Sequence, residues 1–157
     1  MGLRRERLEK GHQDIFEEIQ ETFGESRIKP EQHSALALAY IGDAVYDLII
    51  RTIVIDLGAG KVKDFHRMTS SVVKAESQAK LMKMLLGQLT AEEENVYRRG
   101  RNAKSATSAK NASIVDYRVA TGFEALVGHW YLTHQMERGM TLIRDGLLQT
   151  NQMPRKE

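Results

Sequence analysis

The sequence predicts an all-α fold. Three observations carry that prediction: apolar residues recur at three- and four-residue spacing, no hairpin dipeptide lies between alternating segments, and caps and terminators recur at helical lengths. Residues repeating with the helical period share a face that must pack on a neighbour, so successive segments of this kind build a bundle.

The elements follow in chain order. A first amphipathic helix is expected from about Gln13 to Phe23, stopped by Gly24, with the charged segment Arg4 to Lys10 as its extension. Pro30 and Ser34 open a long second helix to about Leu57, where Gly58 and Gly60 stop it. A short connector containing Phe65 and His66 leads to Ser70 or Ser71, either of which caps a third helix ending near Gly87. Thr90 and Glu93 form a capping-box pattern for a fourth helix through Arg99. Gly100 to Ser113 is small, polar and basic and reads as a loop, before a fifth helix at Ile114–Gln135 and a sixth at Met140–Leu148. These boundaries give a helical N-terminal extension (1–33), a main domain (34–150) and a polar tail (151–157).

A chain of 157 residues suffices for one hydrophobic core. The absence of cysteine removes disulfides and thiolate metal sites and fits a reducing compartment. The charged N-terminus has no apolar run of signal-peptide length, and Asp or Arg interrupts every other apolar stretch before it reaches membrane-spanning length. The expectation is a cytoplasmic protein with no membrane partner. A net charge of +2 excludes a polycation, so any reading as a nucleic-acid binder must rest on local clustering of cations.

Two acids stand out. On a wheel of the second helix, Leu38, Ile41, Val45, Leu48 and Ile49 fill one side; Leu36, Tyr40, Ile50 and Val54 lie opposite, together with Asp43 and Asp47. A helix apolar all round is expected to be buried, and an unpaired carboxylate there must protonate or find a partner. A divalent cation is one such partner; an arginine or a neighbouring helix end is another. Asp47, one turn on, could hold a water, pair with a cation or face solvent. In the fifth helix Val115, Val119, Phe123, Leu126 and Trp130 make the core stripe, and Glu124 points away from it. Gly42 and Gly128 sit within helices beside these acids, where glycine costs about 1 kcal/mol relative to alanine. Close approach of helices or of RNA backbone would explain both, as would plain helix packing.

The stretches ALAYIGDAVYD (Ala37–Asp47) and TGFEALVGHWYL (Thr121–Leu132) resemble the two acidic helical motifs of the ribonuclease III catalytic domain, and HRMTSSVVKAESQA (His66–Ala79) resembles its connecting helix. The resemblance spans roughly Ser34 to Leu148 and implies the endonuclease-domain helical bundle. Full-length ribonuclease III carries further acids where this chain has Ala39 and Thr121, so only Asp43 and Glu124 carry over as the catalytic and metal-binding pair. That reduced set, the run RRGRNAKS and the lack of a C-terminal RNA-binding domain resemble the Mini-ribonuclease III branch. The resemblance implies a homodimer that uses Mg²⁺, with Mn²⁺ able to substitute, to cut double-stranded RNA and leave 5′-phosphate ends. It further implies maturation of the large-subunit (23S) ribosomal RNA precursor, and leaves room for a ribosomal protein as partner.

The run from Arg98 to Asn111 fits that substrate. Arg98, Arg99, Arg101, Lys104 and Lys110 meet no acid within it, and Asn102 and Asn111 add hydrogen-bonding groups. Such a set suits phosphates and 2′-hydroxyls of an RNA helix, which is recognised by shape and backbone. No aromatic residue interrupts the run, which argues against single-strand stacking. His66 and His129 form no recognisable acid–base pair. The competing readings are a noncatalytic RNA-binding or ribosome-associated module on the same fold, and a purely helical interaction protein.

Overall fold

The computed structural model describes residues 14–58, 60–103 and 113–155. The chain divides into two compact units, residues 1–32 and 33–157. In the first, α1 (Ile15–Phe23) is capped by Asp14, whose carboxylate accepts from the Glu17 amide at 2.9 Å, and it stops at Gly24 with φ +100°.

The second unit is helical throughout its described residues apart from short connections: α2 (Ala35–Asp56), α3 (Val62–Val73), α4 (Ala75–Leu85), α5 (Ala91–Asn102), α6 (Ile114–Leu132) and α7 (Met136–Gln149). The all-α expectation is met. α6 is the central helix, buried on every side from Ala125 to Trp130, and α2, α4 and α5 pack round it while α3 lies on α2 and α7 on α4. Tyr46 of α2 meets Phe123 of α6 edge to face, ring centroids 4.9 Å apart, at the centre of the core. No described helix is long and apolar enough to cross a membrane.

Caps explain the boundaries. The Ser34 hydroxyl accepts from the Ala37 amide at 3.1 Å and starts α2; Thr90 and Glu93 close a reciprocal box at the start of α5, with bonds of 3.2 and 2.9 Å. The expected connector around Phe65 and His66 is instead α3. Its stripe Phe65, Met68, Thr69, Val72 has helical spacing, and the Asp64 carboxylate accepts from the Lys61 amide at 3.3 Å in place of a serine cap. Ser70 and Ser71 therefore lie inside α3. Lys74 is extended (ψ 154°) and separates α3 from α4, while the Ser77 hydroxyl and Gln78 amide donate to carbonyls of Ser71 and Val73 at 2.6 and 2.9 Å. α5 continues through Asn102, past the expected loop boundary, and α7 starts one turn earlier than Met140. In the expected polar tail Pro154 is buried, and Gln152 donates to the Ser77 carbonyl at 3.2 Å.

The wheel for α2 needs correction. Leu48 and Tyr40 are 54% and 83% exposed, whereas Ile50 and Val54, assigned to the Asp43 side, are fully buried. A helix of 22 residues is about 33 Å long; Leu38 to Tyr46 lie against α5 and α6, and Val54 lies near Phe65 and Thr69 of α3. The buried stripe Leu38, Gly42, Tyr46, Ile50, Val54 advances by four residues and so rotates about 40° per step, which a single averaged wheel conceals.

Candidate active site

The site is made by a crossing of two helices at two glycines. A Cβ built on Gly42 of α2 would fall inside the carbonyl oxygen of Glu124 and 2.7 Å from the Gly128 nitrogen; one built on Gly128 of α6 would lie 2.8 Å from the Leu38 carbonyl carbon. Only glycine permits backbone to lie on backbone in this way. Asp43 follows the first glycine and Glu124 lies one turn before the second, so the crossing delivers both acids to one place.

Their side chains share a hydrogen bond. Asp43 is exposed and Glu124 half-buried, so the acid expected to be buried is the more open of the two. Burial, then the charge and hydrogen bond of Asp43, push the Glu124 carboxyl from its ordinary 4.5 up to about 8. Two acids facing each other at neutral pH thus retain a proton between them.

This arrangement carries a stability penalty of definite sign. Below pH 4.5 Glu124 is protonated folded and unfolded; between 4.5 and about 8 only the unfolded chain ionises it, so stability falls as pH rises, and levels off above about 8. Glu124→Gln is expected to remove that penalty, raising stability at pH 8 in EDTA on the order of 2 kcal/mol after allowance for solvent screening. Melting followed by circular dichroism should show a gain of roughly 4–8 °C at pH 8 and almost none at pH 4. An unchanged or lower melting temperature at pH 8 would refute the strained pair.

The neighbouring positions are accounted for. Asp47 pairs with Arg51 one turn on, Oδ2 to Nε 2.5 Å. Ala39 is buried beside Leu38, Val96 and Ala125, where a carboxylate would lose its water, and the Thr121 hydroxyl donates to the Tyr117 carbonyl at 2.9 Å. His66 is exposed on α3, and buried His129 on α6 has its Nε2 3.9 Å from Glu92.

Arg99 and Arg101 stand on the last turn of α5 and Arg98 just before it, and that turn is pressed onto α6 on either side of Glu124: a Cβ on Gly100 would meet the Gly122 Cα and the Ala125 Cβ, each at 2.8 Å. Arg98 pairs with Glu94 at 3.3 Å, Arg99 donates to the His33 carbonyl at 3.1 Å, and Arg101 lies over the Tyr97 ring, 5.6 Å from its centroid, with a 3.4 Å bond to Asn102. Lys104, Lys110 and Asn111 lie outside the described residues.

Sequence reasoning missed one polar centre. Glu93 is only 1% exposed and accepts from Trp130 Nε1 (2.5 Å), Arg138 Nε (2.8 Å), Arg138 Nη2 (2.7 Å) and its own cap amide at Thr90 (2.9 Å). Burial would raise its carboxyl, but the Arg138, Thr90 and Trp130 hydrogen bonds outweigh it and bring the pKa to about 2. The capping-box pattern marked Glu93 as a cap; nothing local pointed to Arg138 as its partner.

Comparison with known proteins places these features. A family model described as the ribonuclease III domain matches residues 36–135. Relatives named Mini-ribonuclease 3 include one from Enterococcus faecalis, 54% identical over 115 residues (72% of this chain, 87% of that protein). Others come from Clostridium tetani, 49% identical over 69% of this chain and 72% of that protein, and Streptococcus pneumoniae, 43% identical over 70% and 88%. A crystal structure of a protein from Fusobacterium nucleatum superposes with a TM-score of 0.72 at 26% identity, covering 78% of this chain and 99% of the other.

Proposed function

This chain belongs to the Mini-ribonuclease III family of the ribonuclease III superfamily, and on that premise we propose that it is a Mg²⁺-dependent endoribonuclease that cuts double-stranded RNA at Asp43 and Glu124. The observation that carries the proposal is the meeting of these two carboxylates at a glycine crossing, beside the arginine-bearing end of α5.

The donor set fits a hard divalent cation. Two carboxylates that retain a proton between them can exchange it for Mg²⁺ or Mn²⁺, and two protein oxygens leave room for water and phosphate in the coordination sphere. When bound, the ion supplies charge for the scissile phosphate and a water of lowered pKa. Asp43 presents its oxygens to solvent, and Glu124 releases its proton on loading. Arg98, Arg99, Arg101, Asn102, Lys104, Lys110 and Asn111 hold the RNA backbone. No covalent nucleophile is needed, and the products carry 5′-phosphate ends.

A second copy of the chain completes the assembly. Leu36 and Tyr40, exposed on the Asp43 side of α2, and Leu48 and Ile55, exposed further along and round the helix, offer apolar surface to a twofold homodimer whose second acid pair serves the opposite strand. The precursor of large-subunit (23S) ribosomal RNA is the proposed substrate, the cytoplasm the proposed location and a ribosomal protein a candidate further partner.

Incubation with a ribosomal precursor duplex and Mg²⁺ tests the proposal. Internal cuts bearing 5′-phosphates are expected, and none in EDTA; tight binding without cuts would instead favour a noncatalytic RNA-binding module, which the sparse acid set with Ala39 and Thr121 recommends as the rival. Titration calorimetry of Mg²⁺ at pH 7 in two buffers of different ionisation enthalpy is expected to show close to one proton released per site, falling toward zero above about pH 8. Binding with no proton release at pH 7 would exclude the exchange.

A further inference from the structure

We infer that Glu93 is a positioning residue: its buried hydrogen bonds hold the arginine-bearing end of α5 against the Glu124 turn of α6, so that an RNA duplex meets cations and acid pair in register. The role rests on the RNA-cleavage reading above.

α5 has 12 residues and forms a rod about 18 Å long. Along most of that rod its contacts are small and without direction: Val96 beside Leu38 and Ala39, the Tyr97 ring on Gly122, Gly100 on Gly122 and Ala125. These contacts set how closely α5 lies on α6, but none of them is a hydrogen bond. Direction comes from the ends, where Arg99 donates to the His33 carbonyl and Glu93 accepts from Trp130 and Arg138.

Glu93 is the stronger tie. Its donors come from the α5 cap, from α6 and from α7, and Arg138 Nη2 also donates to the Gln88 carbonyl at 2.9 Å, closing the turn before α5. The Glu93 side chain is 2% exposed, so its carboxylate depends on these donors and not on water. Trp130 is held in turn by Gly139, where a Cβ would come within 2.6 Å of the indole ring. The same unbroken helix carries Trp130 and Glu124, so fastening the start of α5 to Trp130 sets where its far end lies relative to the acid.

A buried ion pair is a poor way to gain stability alone, since apolar residues of similar volume often do as well or better; directional bonds are what it adds. Steady-state cleavage of a synthetic RNA duplex separates the two roles. Glu93→Gln keeps the shape and removes the charge. It is expected to retain helical circular dichroism at 25 °C, raise KM at least about fivefold and leave kcat within about twofold.

Unchanged KM with kcat reduced in proportion to the folded fraction would overturn the role in favour of a structural one. Should Glu93→Gln not fold, Arg138→Lys, which keeps the charge and loses the two-pronged geometry, carries the same expectations and the same overturning results. A wild-type chain that neither binds nor cuts the duplex overturns the parent reading and this role together; normal wild-type cleavage with unaltered KM in the variants overturns this role alone.

Discussion

Asp43→Asn is expected to lower the cleavage rate at saturating Mg²⁺ and RNA by roughly 10³-fold or more, with duplex binding retained within a few-fold. If the acid pair holds the ion as proposed, losing one carboxylate removes half of the protein's ligands, and a loss of several kcal/mol of charge stabilisation corresponds to about that factor. Glu124→Gln should be equally inactive. The two variants differ in one informative respect: Glu124→Gln is expected to melt higher than wild type at pH 8 without metal, so its inactivity cannot be ascribed to unfolding. Single-turnover cleavage with gel-shift binding in EDTA is the measurement. Cleavage within tenfold of wild type in either variant would remove that residue from the site.

Gly42→Ala is expected to be the most damaging glycine-to-alanine change among the described residues. The added methyl would occupy the position of the Glu124 carbonyl oxygen, and backbone on a fully packed helix cannot swing aside as a flexible side chain can. Separation of α2 from α6 would follow, with a loss above about 4 kcal/mol, a range reserved for core disruption. Gly87 is the control: nothing lies within 4 Å of a Cβ built there, so Gly87→Ala should change stability by less than about 1 kcal/mol. Urea unfolding of the two variants decides the matter. A Gly42→Ala protein as stable as Gly87→Ala would mean that the helices do not cross as described.

Most of the helices were readable from local signals. Gly24, Ser34 and the Thr90–Glu93 box each mark a boundary that the structure places within two residues of expectation. α3 escaped notice because its start depends on an acid three residues inside the helix, and because the serines that suggested a cap are interior to it. The candidate acids were legible by type and by motif. Their convergence was implied by the motif resemblance alone and not by the local pattern, since Asp43 alone is an exposed aspartate and Glu124 alone a glutamate on a mixed face. The glycines beside them were the one local hint, each of them unfavourable inside a helix unless something must come close.

The amino-acid order by itself determined that this chain is a helical member of its family and which acids, glycines and arginines are the candidates for its site, because helical period, caps and motifs are properties of neighbouring residues. Only the tertiary structure decided which face of α2 is covered, that Glu124 retains a proton against Asp43, and that Glu93 ties three helices together. The reason is physical: a helix sets which residues share a side, whereas desolvation, pairing and shared protons depend on what another segment places opposite that side.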